Sequence, residues 1–337
     1  MRHFVLAILS LLVAACGGPA LHSQESYVFG TRVEVLVWGA PEDVARAATA
    51  EVLREFDRLH RVYHAWQPSE MTALNEALAT GRPHDVTPEF ANFIREAQEV
   101  AARGEYLFDP GIGRLVELWG FHDDTFKPQL PDQAKLAELI ASRPSIAKLQ
   151  VERAKVSLRG TPGSAVALDF GGYLKGVALD RAVVILKRRG IANALINIGG
   201  NVMAMGSKGD TPWRVGIQHP RAATPLATLE LKDGEAIGTS GDYQRYFELE
   251  DKRYCHLIDP RTGWPSEGTQ AVTVLIPPRP KAGMWSDVAS KPIFIAGKDW
   301  RRLADKLGMK QVLRVDADGR VETTDAMRAR VKLESSK

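Results

Sequence analysis

The sequence predicts an α+β fold of mixed order, two lobes pinching a ligand, on three observations. Helix-period and alternating apolar segments follow one another irregularly along the 337 residues, without the regular βαβ winding of a parallel sheet. The hydrophobic content of 45% is enough to bury a large core in a chain of this length. Between residues 236 and 268, AIGTSGDYQRYFELEDKRYCHLIDPRTGWPSEG, polar groups crowd between glycine-rich turns, which suits a ligand site better than a core.

The elements follow in order. Residues 28–38 read as a strand with Val33, Val35 and Val37 on one face. Pro41 to about Arg61 reads as an amphipathic helix, because Val44, Ala48, Val52, Phe56 and Leu59 recur at helical spacing. Thr87-Pro88 supplies an N-cap and first-turn proline for a helix ending at Gly104. Another helix falls at 133–142, and a further one runs from near Gly172 to Gly190 with Leu174, Ala178, Ala182 and Ile185 inward. Strands are expected at 193–205, 213–218, 227–231, 244–249, 253–258 and 271–276, then helices near 286–296 and 299–307. A last hairpin turns at Asp318-Gly319.

The N-terminus MRHFVLAILSLLVAAC has a basic start and an apolar run from Phe4 to Ala15, too short for a comfortable span and typical of a secretory signal. Ala14-Ala15-Cys16 resembles a lipobox, which would make Cys16 the lipidated, palmitate-bearing first residue. An ordinary cleavage near Ala15, with Cys16 a bystander, is the alternative. The expected division is a signal peptide at 1–15, a lipidated tether at 16–26, a catalytic unit at 27–325 and a flexible tail at 326–337. The protein would then be anchored in a membrane, the inner one of a Gram-negative cell, and face the periplasm. Cys255 is the only other cysteine, so an acylated Cys16 leaves no intramolecular disulfide. A formal charge of +3 without a basic–aromatic stretch argues against nucleic acid, and Lys187-Arg188-Arg189 suits a helix end.

Within 236–268, the alternation of Tyr246, Phe247 and Leu249, then Tyr254, His256 and Ile258, predicts two strands turning at Glu250-Asp251. The second strand delivers His256 and Asp259 to a loop mouth. Asp242, Tyr243, Arg261 and Thr262 crowd the same block, with Arg261 placed to brace a carboxylate. His256 is the best acid–base group in the chain, since imidazole titrates near neutrality; a strand histidine that only bonds to Asp259 is the alternative.

AIGTSGDYQRYF followed by RYCHLIDPRTGWP resembles the signature of the ApbE family, the FAD:protein FMN transferases. FGTRVEV at 29–35, LFDPGIGRLVELWGF at 107–121, LDFGGYLKGVALD at 168–180, NIGGN at 197–201 and SDVASKP at 286–292 match in the same order, covering roughly residues 27 to 300. The resemblance implies a T-fold-like unit with a flavin cleft between its lobes. It also implies FAD as substrate, Mg²⁺ as a probable metal, and a threonine-bearing acceptor flavoprotein as partner.

Carried over residue by residue, the resemblance places Asp169 and Lys175 on FAD, with Gly172 offering its carbonyl to the metal. Asp169 capping a plain strand–turn–helix, with Lys175 solvated, is the alternative. Asp287 is implied as the metal aspartate, or else is a helix-terminal acid. Phe29 and Trp66 would touch the flavin, with Tyr63 an alternative to Trp66 and core packing an equal reading of Phe29. Asp109, Pro110 and Gly111 would offer backbone to the ring edge, and Thr239, with Ser240 and Gly241, would meet the adenosine or pyrophosphate. Asn197 to Asn201 would shape the pocket floor or simply end a strand.

One position departs from the family. Where a threonine or serine usually follows the aspartate by four residues, this chain has Lys291, with Ser290 one place earlier. Either Ser290 or water completes the metal shell, or the Lys291 ammonium supplies part of the charge. The implied activity is movement of FMN from FAD to a threonine hydroxyl with release of AMP, with His256 and Asp287 catalytic. An FAD pyrophosphate hydrolase and an FAD-binding lipoprotein without catalysis remain as alternatives.

Overall fold

A computed structural model describes residues 20–123, 125–159 and 165–334, so the signal segment and Cys16 lie outside the described residues. The first half contains β1 (Leu21–Val28), β2 (Thr31–Trp38), α1 (Glu42–Val62), α2 (Glu70–Ala79), β3 (His84–Asp85), α3 (Pro88–Arg103), α4 (Gly113–Leu118), α5 (Gln133–Ser142), β4 (Leu149–Glu152), β5 (Lys155–Leu158) and α6 (Leu174–Arg188). The strand-rich half follows with β6 (Ala194–Ile198), β7 (Asn201–Met205), β8 (Trp213–Gln218), β9 (Pro225–Leu231), β10 (Ala236–Gly241), β11 (Tyr246–Leu249), β12 (Lys252–Cys255) and β13 (Thr269–Ile276). It closes with α7 (Ala282–Ile295), α8 (Trp300–Leu307), β14 (Val312–Asp316), β15 (Val321–Thr323), α9 (Asp325–Arg328) and β16 (Lys332–Leu333).

The fold is α+β. An antiparallel sheet of order β1-β2-β6-β7-β10-β13-β14-β15 forms its centre. Alternation sorts its faces: Val33, Val35 and Val37 join the core under α1, α6 and α7, while Leu36 and Trp38 face a second core under β8 and β9. β13 is buried at every position because both faces are covered. A third cluster, around Leu115, Trp119, Phe121, Phe247, Tyr254 and Ile258, joins α4 and α5 to the β11–β12 hairpin.

Several expectations hold and several are corrected. The α1 stripe of Ala48, Val52, Phe56 and Leu59 is buried, and Thr87 caps α3 by accepting from the Phe90 N–H. The strand expected at 28–38 is instead a hairpin, since Phe29 and Gly30 both take positive φ, the geometry of a two-residue turn. Consequently residues 21–26, read as tether, are paired strand within β1. Likewise 193–205 is two strands folded at Gly199-Gly200, and the tail expected at 326–337 contains most of α9 and then β16, which pairs with β9.

The contact that positions the cleft is the crossing of α6 and α7. A Cβ on Gly176 would meet the Gly283 carbonyl oxygen and the Met284 Cα at 2.6 Å, and one on Gly283 would meet the Gly176 oxygen at 2.7 Å. Asp180 clamps the crossing by accepting from the Gly283 and Met284 N–H groups, both at 2.9 Å. Backbone cannot rotate aside, so Gly176→Ala is expected to destabilise the protein by about 1–3 kcal/mol through overpacking, measured by urea denaturation.

Candidate active site

A cleft of about 360 Å³ opens where the helical layer meets the β11–β12 hairpin, within the usual range for small-molecule sites. Part of its lining is aromatic and apolar: Phe29, Trp66, Phe108 and Phe121, with His60, His64 and His122 among them. The same lining carries Asp169, Lys175, Arg245, His256 and Lys291, with Lys291 Nζ 5.9 Å from the centre of the Phe108 ring and the His256 ring 6.5 Å from that of Phe121.

Each side chain is held by its own element. Phe29 sits at φ 57 in the β1–β2 turn, a conformation unfavourable for a large side chain, and packs on Phe56 and His60. Trp66 follows α1 in a loop that the His64 Nδ1 braces, accepting from the Trp66 N–H at 3.0 Å and the Gln67 N–H at 3.1 Å. Tyr63 is 2% exposed, packed on Phe90 and Phe93, and outside the cleft, whereas Trp66 lines it. Asp109 is buried and accepts from the Gly111 and Ile146 N–H groups, both at 2.8 Å, which ties the 107–113 loop to residue 146. Asp169 accepts from the Gly171 N–H at 2.8 Å; burial raises its carboxyl above the usual range, against that amide, Arg245 and Lys175.

His256 follows β12 directly, and its Nδ1 lies 3.2 Å from the Arg245 carbonyl oxygen. A carbonyl can only accept, so Nδ1 carries the proton of the neutral ring and Nε2 keeps a lone pair. Desolvation, helped by Lys175, Arg245 and Lys291, pushes the imidazole down to about 3 against the Arg245 carbonyl. The ring is therefore neutral at physiological pH. The alternative bond to Asp259 is not made: Asp259 is held by the Arg261 side chain at 2.7–3.2 Å.

The residues implied for Mg²⁺ do not fit one. Lys291 Nζ donates to Asp287 Oδ1 at 2.6 Å and to the Asp287 carbonyl at 2.7 Å, while Asp287 Oδ2 accepts from the Gly176 N–H at 3.0 Å. Ser290 Oγ lies 2.8 Å from Ser240 Oγ and donates to the Asp287 carbonyl at 3.0 Å, facing β10 rather than the cleft. Gly172 does line the cleft, but a Cβ there would meet Lys291 Cε at 2.6 Å. The carboxylate is thus committed to an ammonium and an amide, and the hydroxyl is turned away.

Other positions are corrected as well. Thr239 is on the opposite face of β10, bonded to Thr273 at 2.8 Å and lining a separate hollow with Glu34, Asn197 and Arg214. Strand alternation sends Ser240 inward and Thr239 outward. Gly111 is packed against residues 145 and 146, with Pro110 and Ile112 lining the cleft on either side. Asp242 is held by Arg221 at 2.6–2.7 Å, so of the polar residues first singled out in 236–268 only His256 reaches the cleft. Asn197 accepts from the Gly200 N–H at 3.0 Å and shapes a hairpin turn, not the cleft floor.

Arg245, His60, His64 and His122 also line the cleft, outside the residues the sequence pointed to. Arg245 lay inside the DYQRYF block, and His60 and His64 are one helical turn apart, which was the available signal.

The ApbE family model matches residues 29–313. The chain is 40% identical over 334 residues to the FAD:protein FMN transferase of Rhodobacter capsulatus, covering 97% of this chain and 62% of that protein's length. It is 32% identical to an FAD:protein FMN transferase of Klebsiella pneumoniae strain 342, over 76% of this chain and 74% of that one. The crystal structure of the ApbE protein of Thermotoga maritima superposes with a TM-score of 0.82 at 27% identity, covering 92% of this chain and 99% of that one. With the cleft assembled from the blocks that mark the family and the match spanning nearly the whole folded unit, the chain belongs to the ApbE family.

Proposed function

We propose that this protein is an FAD:protein FMN transferase, which moves FMN from FAD to a threonine hydroxyl of an acceptor protein. The observation that carries the reading is one cleft lined both by Phe29, Trp66, Phe108 and Phe121 and by a neutral imidazole among Lys175, Arg245 and Lys291. The aromatic side chains suit the isoalloxazine ring, and the cationic ones suit a pyrophosphate. Family membership and the named relatives support the same assignment.

In the proposed reaction the threonine oxygen bonds to the FMN phosphorus as the bond from that phosphorus to the bridging pyrophosphate oxygen breaks. The hydroxyl proton passes to His256 Nε2, and AMP leaves with the bridging oxygen. Lys175 and Arg245 offset the charge of the phosphates and orient them. Bound pyrophosphate places negative charge beside His256, which favours the imidazolium and raises its basicity when it is needed.

A pH profile follows from that sign. In the free protein His256 is deprotonated throughout pH 5–8, because its value lies at about 3. The kcat/KM profile for FAD is expected to show no acid limb near pH 6.5 from this group, whereas the acid limb of kcat lies at higher pH than that of kcat/KM. A limb near 6.5 in both would remove the depressed imidazole from the mechanism.

The deciding experiment mixes the full chain in mild detergent with FAD and a threonine-bearing acceptor flavoprotein. Intact-mass measurement follows the acceptor while chromatography follows AMP. Modified acceptor with matching AMP supports transfer; free FMN and AMP alone point to hydrolysis, and intact FAD throughout points to a binding protein.

We also propose that Cys16 is lipidated and anchors the protein facing the periplasm, which the Ala14-Ala15-Cys16 sequence supports. Five residues, 16–20, would then separate the anchor from β1, about 17 Å at full extension. Incorporation of labelled palmitate into the wild-type chain and not into Cys16→Ser is the expected result; equal labelling of both would end the idea. Among the described residues no helix is long and apolar enough to cross a membrane.

A further inference from the structure

Resting on the transferase reading, we propose that the Lys291 ammonium is the built-in cation of this cleft, and that it holds the pyrophosphate for cleavage in place of a divalent metal ion. Four observations carry it. Nζ sits 2.6 Å from Asp287 Oδ1 and 2.7 Å from the Asp287 carbonyl oxygen, so an ion bound to that oxygen pair would claim the volume Nζ occupies. Magnesium demands near-octahedral oxygen ligands at about 2.0–2.1 Å, and a fixed ammonium beside them repels it.

The Lys291 stem is packed against Gly172, where a Cβ would lie 2.6 Å from Cε and 3.0 Å from Cδ. The hydroxyl that could otherwise join Asp287 is bonded across to Ser240 at 2.8 Å. An ammonium also has three N–H donors, and Asp287 accepts two of them. Among the described residues the third meets no protein acceptor, and Lys291 lines the cleft with Lys175 and Gly172. Asp287 in this arrangement is a positioning residue: it aims Lys291 and does not itself meet the substrate.

The test uses the full chain in detergent, with FAD as the probe and the threonine-bearing acceptor flavoprotein present for the AMP measurements, in buffers containing either EDTA or Mg²⁺. FAD affinity by flavin fluorescence and AMP release are both expected to be unchanged by chelation in the wild type. Lys291→Thr is expected to bind FAD about tenfold to a hundredfold more weakly in EDTA, the range of a lost charge-assisted hydrogen bond, and to recover affinity and AMP release with Mg²⁺. The double variant Asp287→Asn/Lys291→Met removes both charges together; it is expected to lose FAD affinity while binding riboflavin, which has no phosphate, as the wild type does.

Wild-type affinity or AMP release that collapses in EDTA and returns with Mg²⁺ would overturn the proposal, as would a double variant that binds FAD as tightly as the wild type. If the wild type binds FAD but releases no AMP in either buffer, the transferase reading fails by itself. The affinity comparisons still decide whether Lys291 holds the pyrophosphate.

Discussion

Replacing His256 by asparagine is expected to slow FMN transfer about 10²- to 10⁴-fold, the usual contribution of a positioned general base, with little change in FAD affinity. The asparagine amide can still donate to the Arg245 carbonyl that His256 Nδ1 meets at 3.2 Å, so the β11–β12 hairpin keeps its tie. What disappears is the Nε2 lone pair. Single-turnover transfer, read by intact mass of the acceptor, separates this from a binding defect. A variant that transfers at the wild-type rate would show that the proton leaves by another route.

The second large effect concerns folding rather than chemistry. Among the described residues, Lys291→Met leaves the Asp287 carboxylate, 2% exposed, with only the Gly176 N–H as partner. Breaking a buried ion pair from one side costs about 3–5 kcal/mol, because an uncompensated charge remains. Asp287→Asn/Lys291→Met is expected to recover most of that loss, since neither desolvated charge is left. Thermal denaturation of the two variants checks this: equal melting temperatures would mean that the two residues do not act as a unit.

Much of the fold was legible because its signals are short-range. The α1 stripe, the Thr87-Pro88 start of α3, and the turn at Glu250-Asp251 each depend on residues within a few positions of one another. The β1–β2 hairpin was missed because Phe29 in a positive-φ turn carries no local turn signal apart from Gly30. β16 was read as tail because a two-residue strand has no pattern of its own; it exists only through its pairing with β9.

The site divides along the same line. Asp169, Lys175 and His256, each inside a short motif, all line the cleft. Thr239 and Ser290 were misplaced because their direction depends on which face of β10 meets α7, a fact set by packing across the sheet.

By itself the sequence determined the α+β class, the family signature, the imidazole at 256, and a lysine one helical turn after Asp287. Each is a matter of residue identity and near-neighbour spacing. Only the tertiary structure decided where that lysine sits and what it bonds. The glycine crossing of α6 and α7 brings Gly176 and Gly172 against Asp287 and Lys291, and this contact joins segments more than a hundred residues apart. Neither helical period nor propensity encodes such a meeting; it follows from burying both helices on one face of one sheet.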